Sequence, residues 1–139
     1  MQKNVSGGGK VDKIKEYFYI WLFGGITYGL IEILWRGHTH YSMVITGGIC
    51  FLVIYRLSEL ERNIVVKSIM GALAITAIEL TVGVVVNIIF GLGVWDYSEV
   101  PLNLLGQICP IYTLLWFLLC IPGMHMCREI RKKLTGVYT

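Results

Sequence analysis

Charge is what this sequence has least of. Lys and Arg number 12 and Asp and Glu 9 among 139 residues, 15% together, against 55% hydrophobic residues and a mean hydropathy of +0.66. The net charge of +3 comes from basic flanks suited to anionic lipid, so no nucleic-acid partner is expected. Catalytic signatures are missing as well: there is no P-loop, no Gly-x-Ser-x-Gly and no His-Glu-x-x-His. The cysteines, Cys50, Cys109, Cys120 and Cys127, lack metal-type spacing and lie in or beside apolar runs, where Cys acts as a small hydrophobe. Neither a disulfide framework nor a cofactor is expected.

What is present is apolar sequence in lengths that match a bilayer. Tyr17–Trp35, Tyr41–Leu57, Ile64–Phe90 and Leu104–Met126 each approach the roughly 20 residues that a helix needs to span the hydrocarbon layer. The expected fold is an all-α membrane protein with four transmembrane helices. Residues 1–16 read as a flexible arm, 17–126 as the transmembrane domain and 127–139 as a basic tail. Trp35-Arg36-Gly37 is no small-residue cleavage site, so the first span is not read as a signal peptide.

Basic residues set the expected orientation. Lys3, Lys10, Lys13 and Lys15 precede the first span, and Arg128, Arg131, Lys132 and Lys133 follow the last. Arg56, Arg62 and Lys67 flank the middle connection, whereas the first connection has only Arg36 and the third none. By the positive-inside rule both termini lie in the cytoplasm, with Trp35–Tyr41 and Gly91–Asn103 outside.

Glu79 interrupts the most apolar of these segments. A mid-helix acid costs roughly 2.5–3.5 kcal/mol on insertion scales and faces a bundle interior, a polar cavity or a partner. About fifteen Ile, Val, Leu and Phe residues in the same segment, at roughly 0.3–0.6 kcal/mol each, outweigh that cost. Thr76, Glu79, Gly83 and Asn87 share one helical face. Below the third connection, Asn103, Gln107, Pro110 and Thr113 are expected along one face of the fourth span. Pro110 would free a carbonyl there. Together these residues would wall a polar pocket.

Each element of that pocket also has a plain structural reading. Glu32 precedes Arg36 by four residues, the spacing of an ordinary helix ion pair; alternatively both acids line one cavity, and the two readings stand level. Gly25 and Gly29 form a GxxxG that lets another helix approach closely. His38 and His40 alternate on a short loop and are weak candidates for metal ligands with Glu32 or Asp96, more simply explained by loop and headgroup contacts. In Trp95-Asp96-Tyr97-Ser98, Asp96 and Ser98 are turn formers, Trp95 and Tyr97 suit the interfacial aromatic belt, and Asn103 can cap the fourth helix.

Both halves of the chain carry an acid, a Tyr-Ser pair and a Gly-(Gly/Gln)-Ile-Cys run. These are Glu32, Tyr41-Ser42 and Gly47-Gly48-Ile49-Cys50, then Glu79, Tyr97-Ser98 and Gly106-Gln107-Ile108-Cys109. A duplication would give two tandem helical hairpins in parallel orientation.

The run from Glu32 through Trp35-Arg36-Gly37-His38-Thr39-His40-Tyr41-Ser42-Met43 to Gly47-Gly48 is similar to the family called "Putative ABC-transporter type IV", or CmpB-like. So is the run of Glu79, Gly83, Asn87, Val94-Trp95-Asp96-Tyr97-Ser98, Pro101-Leu102-Asn103, Gly106-Gln107-Ile108-Cys109 and Trp116. The likeness covers about Tyr17–Leu119. It implies a small multi-pass protein of the bacterial plasma membrane, transport-related, as a permease-like subunit or small channel. Any ATPase would be a partner in trans, and a transport path would need a homo-oligomer or another membrane subunit. The site residues for a small polar or cationic solute would be Glu79 and Glu32, with Asn87, Asp96, Gln107, Asn103, Arg36, Trp95, Tyr97 and Ser98 around them. A second reading is an accessory or scaffold subunit docking through Gly25/Gly29 or Gly47/Gly48. A third, less favoured, is a membrane-embedded enzyme acting on a lipid.

Overall fold

The computed structural model describes residues 9–135, with side chains from Lys13 to Leu134. Four helices carry the chain: α1 (Gly9–Arg36), α2 (Tyr41–Ser58), α3 (Ile64–Gly83), continued by a π-helical turn (Val84–Ile89), and α4 (Pro110–Thr135). Within them Lys13–Arg36, Tyr41–Ser58, Ile64–Ile89 and Pro110–Leu134 are long and apolar enough to cross a membrane. α1 reaches back through the expected arm to Gly9, and α4 runs on through the basic segment to Thr135. Residues 1–8 and 136–139 lie outside the described part.

Short, well-capped joints make the first turnings. Gly37 ends α1 with φ +79, and its N–H donates to the Ile33 carbonyl at 2.8 Å. His40 then caps α2 by accepting from the Ser42 N–H at 3.3 Å. Asn63 caps α3 in the same way through the Val65 N–H at 2.8 Å. α1 and α2 touch almost backbone to backbone. A Cβ on Gly25 would come within 2.6 Å of the Val44 carbonyl, and one on Gly48 within 2.6 Å of the Trp21 carbonyl. These glycines therefore do what close helix packing asks of them, inside the chain, and the docking role of the scaffold reading is not needed to explain them.

The buried centre combines Ile20 of α1, Ile54 and Tyr55 of α2, Ile75 of α3, and Cys120, Met124 and Cys127 of α4. Outward faces stay apolar, as with Leu34 at 87% and Leu73 at 61% exposure, the pattern of a bundle solvated by hydrocarbon. At the α2–α3 end, two cations meet the C-terminus of α2. Arg131 Nη2 donates to the Tyr55 carbonyl at 2.9 Å, and the buried Lys67 Nζ donates to the Ser58 carbonyl at 3.3 Å. Positive charge is favourable there because the last carbonyls of a helix are unpaired and carry its negative pole.

The fourth helix departs from expectation. It begins at Pro110, not Leu104, because Leu102 (φ 59), Leu105 (φ 55) and Gly106 (φ 69) adopt left-handed backbone that no α-helix admits. Asn103 consequently does not cap α4; it sits inside the preceding loop. Pro110 occupies the first helical position, where its missing N–H costs nothing, and so frees no carbonyl within the span. The proline inside α4 is Pro122. The suggested repeat also takes unlike forms in the two halves, since Gly47 and Gly48 lie within α2 while Gly106 and Gln107 lie in the turn before α4.

Candidate functional site at the centre of the bundle

Residues 90–109 fold into a cap over one end of the helices, and the π turn begins it. Widening the helix over Val84–Ile89 leaves the Phe90 N–H bonded to the Val85 carbonyl and the Leu92 N–H to the Val86 carbonyl, both at 3.0 Å. Asn87 is thereby free to serve the loop. Its Oδ1 accepts from the Val94 N–H at 2.7 Å, and its Nδ2 donates to Gln107 Oε1 at 2.8 Å. Gln107 in turn donates through Nε2 to the Leu105 carbonyl at 3.0 Å, and its own carbonyl accepts the Trp95 indole N–H at 3.1 Å. Gly83 makes this fit possible, since a Cβ there would lie 2.5 Å from Gln107 Oε1.

The first connection is tied to the same cap. Arg36 donates through Nη2 to both Glu32 carboxylate oxygens at 3.1 Å, and through Nη1 to the Val94 carbonyl at 2.9 Å. Thr39 Oγ1 adds a hydrogen bond to Glu32 Oε2 at 3.1 Å. Glu32 thus has a full complement of partners, as its spacing from Arg36 allowed. His38 Nδ1 lies 3.2 Å from the Arg36 carbonyl, and His40 Nδ1 lies 2.7 Å from Ser42 Oγ. Among the described residues no three His, Cys, Asp or Glu side chains gather as a metal-holding group.

Further out, Asp96 Oδ1 accepts the Ser98 N–H at 2.9 Å, and that backbone hydrogen bond holds the fully exposed carboxyl below its ordinary value. Asn103 Nδ2 donates to the Ser98 and Val100 carbonyls at 3.0 and 2.9 Å, and its Oδ1 accepts the Gly106 N–H at 3.0 Å. Tyr97 lies flat on Tyr112, with centroids 4.6 Å apart and planes 7° apart. Burial, then the nearby Glu79 carboxylate, pushes its hydroxyl well above the ordinary tyrosine range.

Glu79 differs from all of these. It is 5% exposed, and among the described residues no donor reaches its carboxylate in ordinary hydrogen-bond geometry. The Trp116 indole N–H is its nearest donor, buried and likewise without an acceptor in such geometry. Glu32, Tyr28, Cys50 and Tyr97 are within electrostatic reach. Tyr28 stacks on Trp116 at 5.9 Å and 28°. One side chain from each helix therefore surrounds the bundle centre: Tyr28 from α1, Cys50 from α2, Glu79 from α3 and Trp116 from α4. The Thr76 and Thr113 hydroxyls, 2.9 Å apart, bridge α3 to α4 beside it.

Tyr28, Cys50 and Trp116 were not among the residues expected at the site. Tyr28 stands four residues before Glu32 and Trp116 three after Thr113, so each shares a helix face with a polar residue. That periodicity was a usable signal, but an aromatic on an apolar helix is ordinarily core.

A family model described as "Putative ABC-transporter type IV" matches residues 17–138. No curated protein and no solved structure gives a significant match.

Proposed function

The chain belongs to the family described as "Putative ABC-transporter type IV", and from that premise we propose that it is the membrane component of a transport system for a small polar or cationic solute. Glu79 is the residue that meets the solute or its coupling proton. One observation carries this reading: a carboxylate buried among four membrane-length helices that, among the described residues, has only the Trp116 indole N–H beside it as a donor. An acid kept there against its desolvation cost needs a compensating role, and a polar path through the bundle supplies one.

In this reading both termini lie on the cytoplasmic face of a bacterial plasma membrane. ATP hydrolysis comes from a separate subunit. A pocket of about 690 Å³ at the α2–α3 joint favours a partner at that end. Arg62, Arg128 and Glu61 line it without an ion-pair partner among the described residues, a surplus of one positive charge, whereas Glu59 bridges Arg56 and Arg131 and Glu129 bridges Lys132. An acidic segment of a partner matches that surplus charge.

The test is solute uptake or ion flux in proteoliposomes or in cells carrying the intact operon. Glu79→Gln should abolish flux, while a double charge reversal, Arg62→Glu with Arg128→Glu, should release a co-purifying subunit. Unchanged flux in Glu79→Gln would remove the reading.

A further inference from the structure

We propose that residues 100–105 are not a loop in water but a wedge set into the outer half of the bilayer, where lipid acyl chains cover Leu102, Leu104 and Leu105. The register of α3 against α4 places them there. The Thr76 and Thr113 hydroxyls lie 2.9 Å apart, and a Cβ on Gly71 would come within 2.7 Å of Cys120 Sγ, so the two helices run antiparallel with these pairs level. Thr76 stands midway along the membrane-length segment Ile64–Ile89. Beyond it α3 and its π turn rise by thirteen residues, about 18 Å, whereas α4 has only three residues beyond Thr113, about 4.5 Å. α4 therefore begins near the middle of a hydrocarbon layer whose half-thickness is about 15 Å. The residues before Pro110 fill the place of its missing outer turns.

The surface of this segment is that of a membrane face. The charges of the cap, Asp96 and Glu99, both precede it, and from Val100 to Met124 the chain carries none. Leu102 is 85% exposed and Leu105 63%. Both also hold left-handed backbone, φ 59 and φ 55, which glycine or asparagine adopts more readily. In water the exposure and the backbone would each count against leucine. In hydrocarbon the apolar side chain is what the position needs. Leu102 and Leu104 further line an apolar cavity of about 580 Å³ between α3 and α4, together with Leu73, Thr76, Thr113 and Phe117. One apolar surface thus runs from the middle of the spans to the tip of the loop.

The polar groups of the loop are turned to one another. Asn103 bonds the Ser98 and Val100 carbonyls and the Gly106 N–H. The N–H groups of Tyr97, Val100, Asn103, Leu104 and Gln107 all donate to carbonyls within the cap. Non-helical backbone is tolerated at membrane depth where its polar groups are satisfied in this way. This placement does not depend on what meets Glu79.

The test is nitroxide labelling of the full chain in lipid nanodiscs, with power saturation by oxygen and by a water-soluble nickel chelate. Leu102→Cys and Leu105→Cys are the probes, Leu73→Cys marks hydrocarbon, and Glu61→Cys marks water at the α2–α3 joint. The wild-type chain, whose Cys109, Cys120 and Cys127 are buried, gives the background, and each labelled variant is checked for an unchanged elution profile. The ratio of oxygen to nickel access at residues 102 and 105 is expected to resemble that at Leu73 and to exceed that at Glu61 several-fold. A ratio like that of Glu61 would overturn the proposal. Poor access to both reagents would overturn it too, with dipolar broadening if a second copy of the chain covers the segment. Leu102→Asn gives an independent reading, because it suits the left-handed backbone but not hydrocarbon. Its melting temperature in nanodiscs should fall, and an unchanged or raised value would count against the wedge.

Discussion

The side-chain amide of Asn87 donates to the side-chain carbonyl of Gln107 at 2.8 Å, across 20 residues of sequence. Each amide also holds a piece of cap backbone, the Val94 N–H and the Leu105 carbonyl. The pair is the peg that fixes the cap on the end of α3. Asn87→Ala strands the Val94 N–H and Gln107 together, and a buried polar group left unpaired costs about 1–3 kcal/mol. Thermal unfolding in detergent should show that loss, with faster proteolysis at residues 91–109. Asn87→Leu should do no better, since the orphaned groups remain.

Arg36 joins the two connections at this end, to Glu32 in its own helix and to the Val94 carbonyl in the cap. A planar guanidinium serves both at once, and an ammonium group does not. Arg36→Lys is therefore expected to behave nearly as Arg36→Met in cap stability. A double-mutant cycle with Glu32→Gln, read by thermal unfolding, should give a coupling of about 1 kcal/mol or more.

Glu79→Leu should stabilise the isolated protein while abolishing flux. Removing a buried carboxylate that has no cation and only the Trp116 N–H beside it relieves a cost on the order of 2 kcal/mol, so the melting temperature should rise. A fall in stability would mean that Glu79 has a structural partner after all.

Gly48→Leu drives a side chain into Trp21, whose carbonyl and ring already lie within 2.7 Å of where the Cβ would be. α1 and α2 must separate, at about 1–3 kcal/mol or more. Poor expression and increased cysteine labelling at Cys50 are the expected readouts. Gly37 has open space for a side chain but a φ of +79, so Gly37→Ala should be milder and Gly37→Asn milder still.

Acid should loosen the outer turn of the cap. The Ser98 N–H holds the Asp96 carboxyl below its unfolded-state value, so the turn's contribution is complete above that value and is lost as pH falls through the lower, folded one. Asp96→Asn keeps an acceptor for Ser98 and should flatten this dependence. Hydrogen exchange of the Ser98 amide between neutral and acidic pH measures it.

The sequence by itself determined the four helices. A bilayer demands about 20 apolar residues per helix and forbids unpaired backbone, so composition and length suffice to mark spans. It also marked the i,i+4 pair of Glu32 and Arg36, because that geometry is local. Glu79 stood out for the same reason, as one charge where the solvent is hydrocarbon.

The tertiary structure alone decided which polar groups use each other and which is left over. Arg36 finds Val94 across 58 residues and Asn87 finds Gln107 across 20. No periodicity encodes such partners, since they depend on how helices cross. The start of α4 was hidden likewise, because left-handed leucines at 102 and 105 are held by the fold around them and not by their own preference. Asn87 and Gln107 became the fastening of a cap, and Tyr28 and Trp116 emerged beside the acid, only once four helices had closed around Glu79.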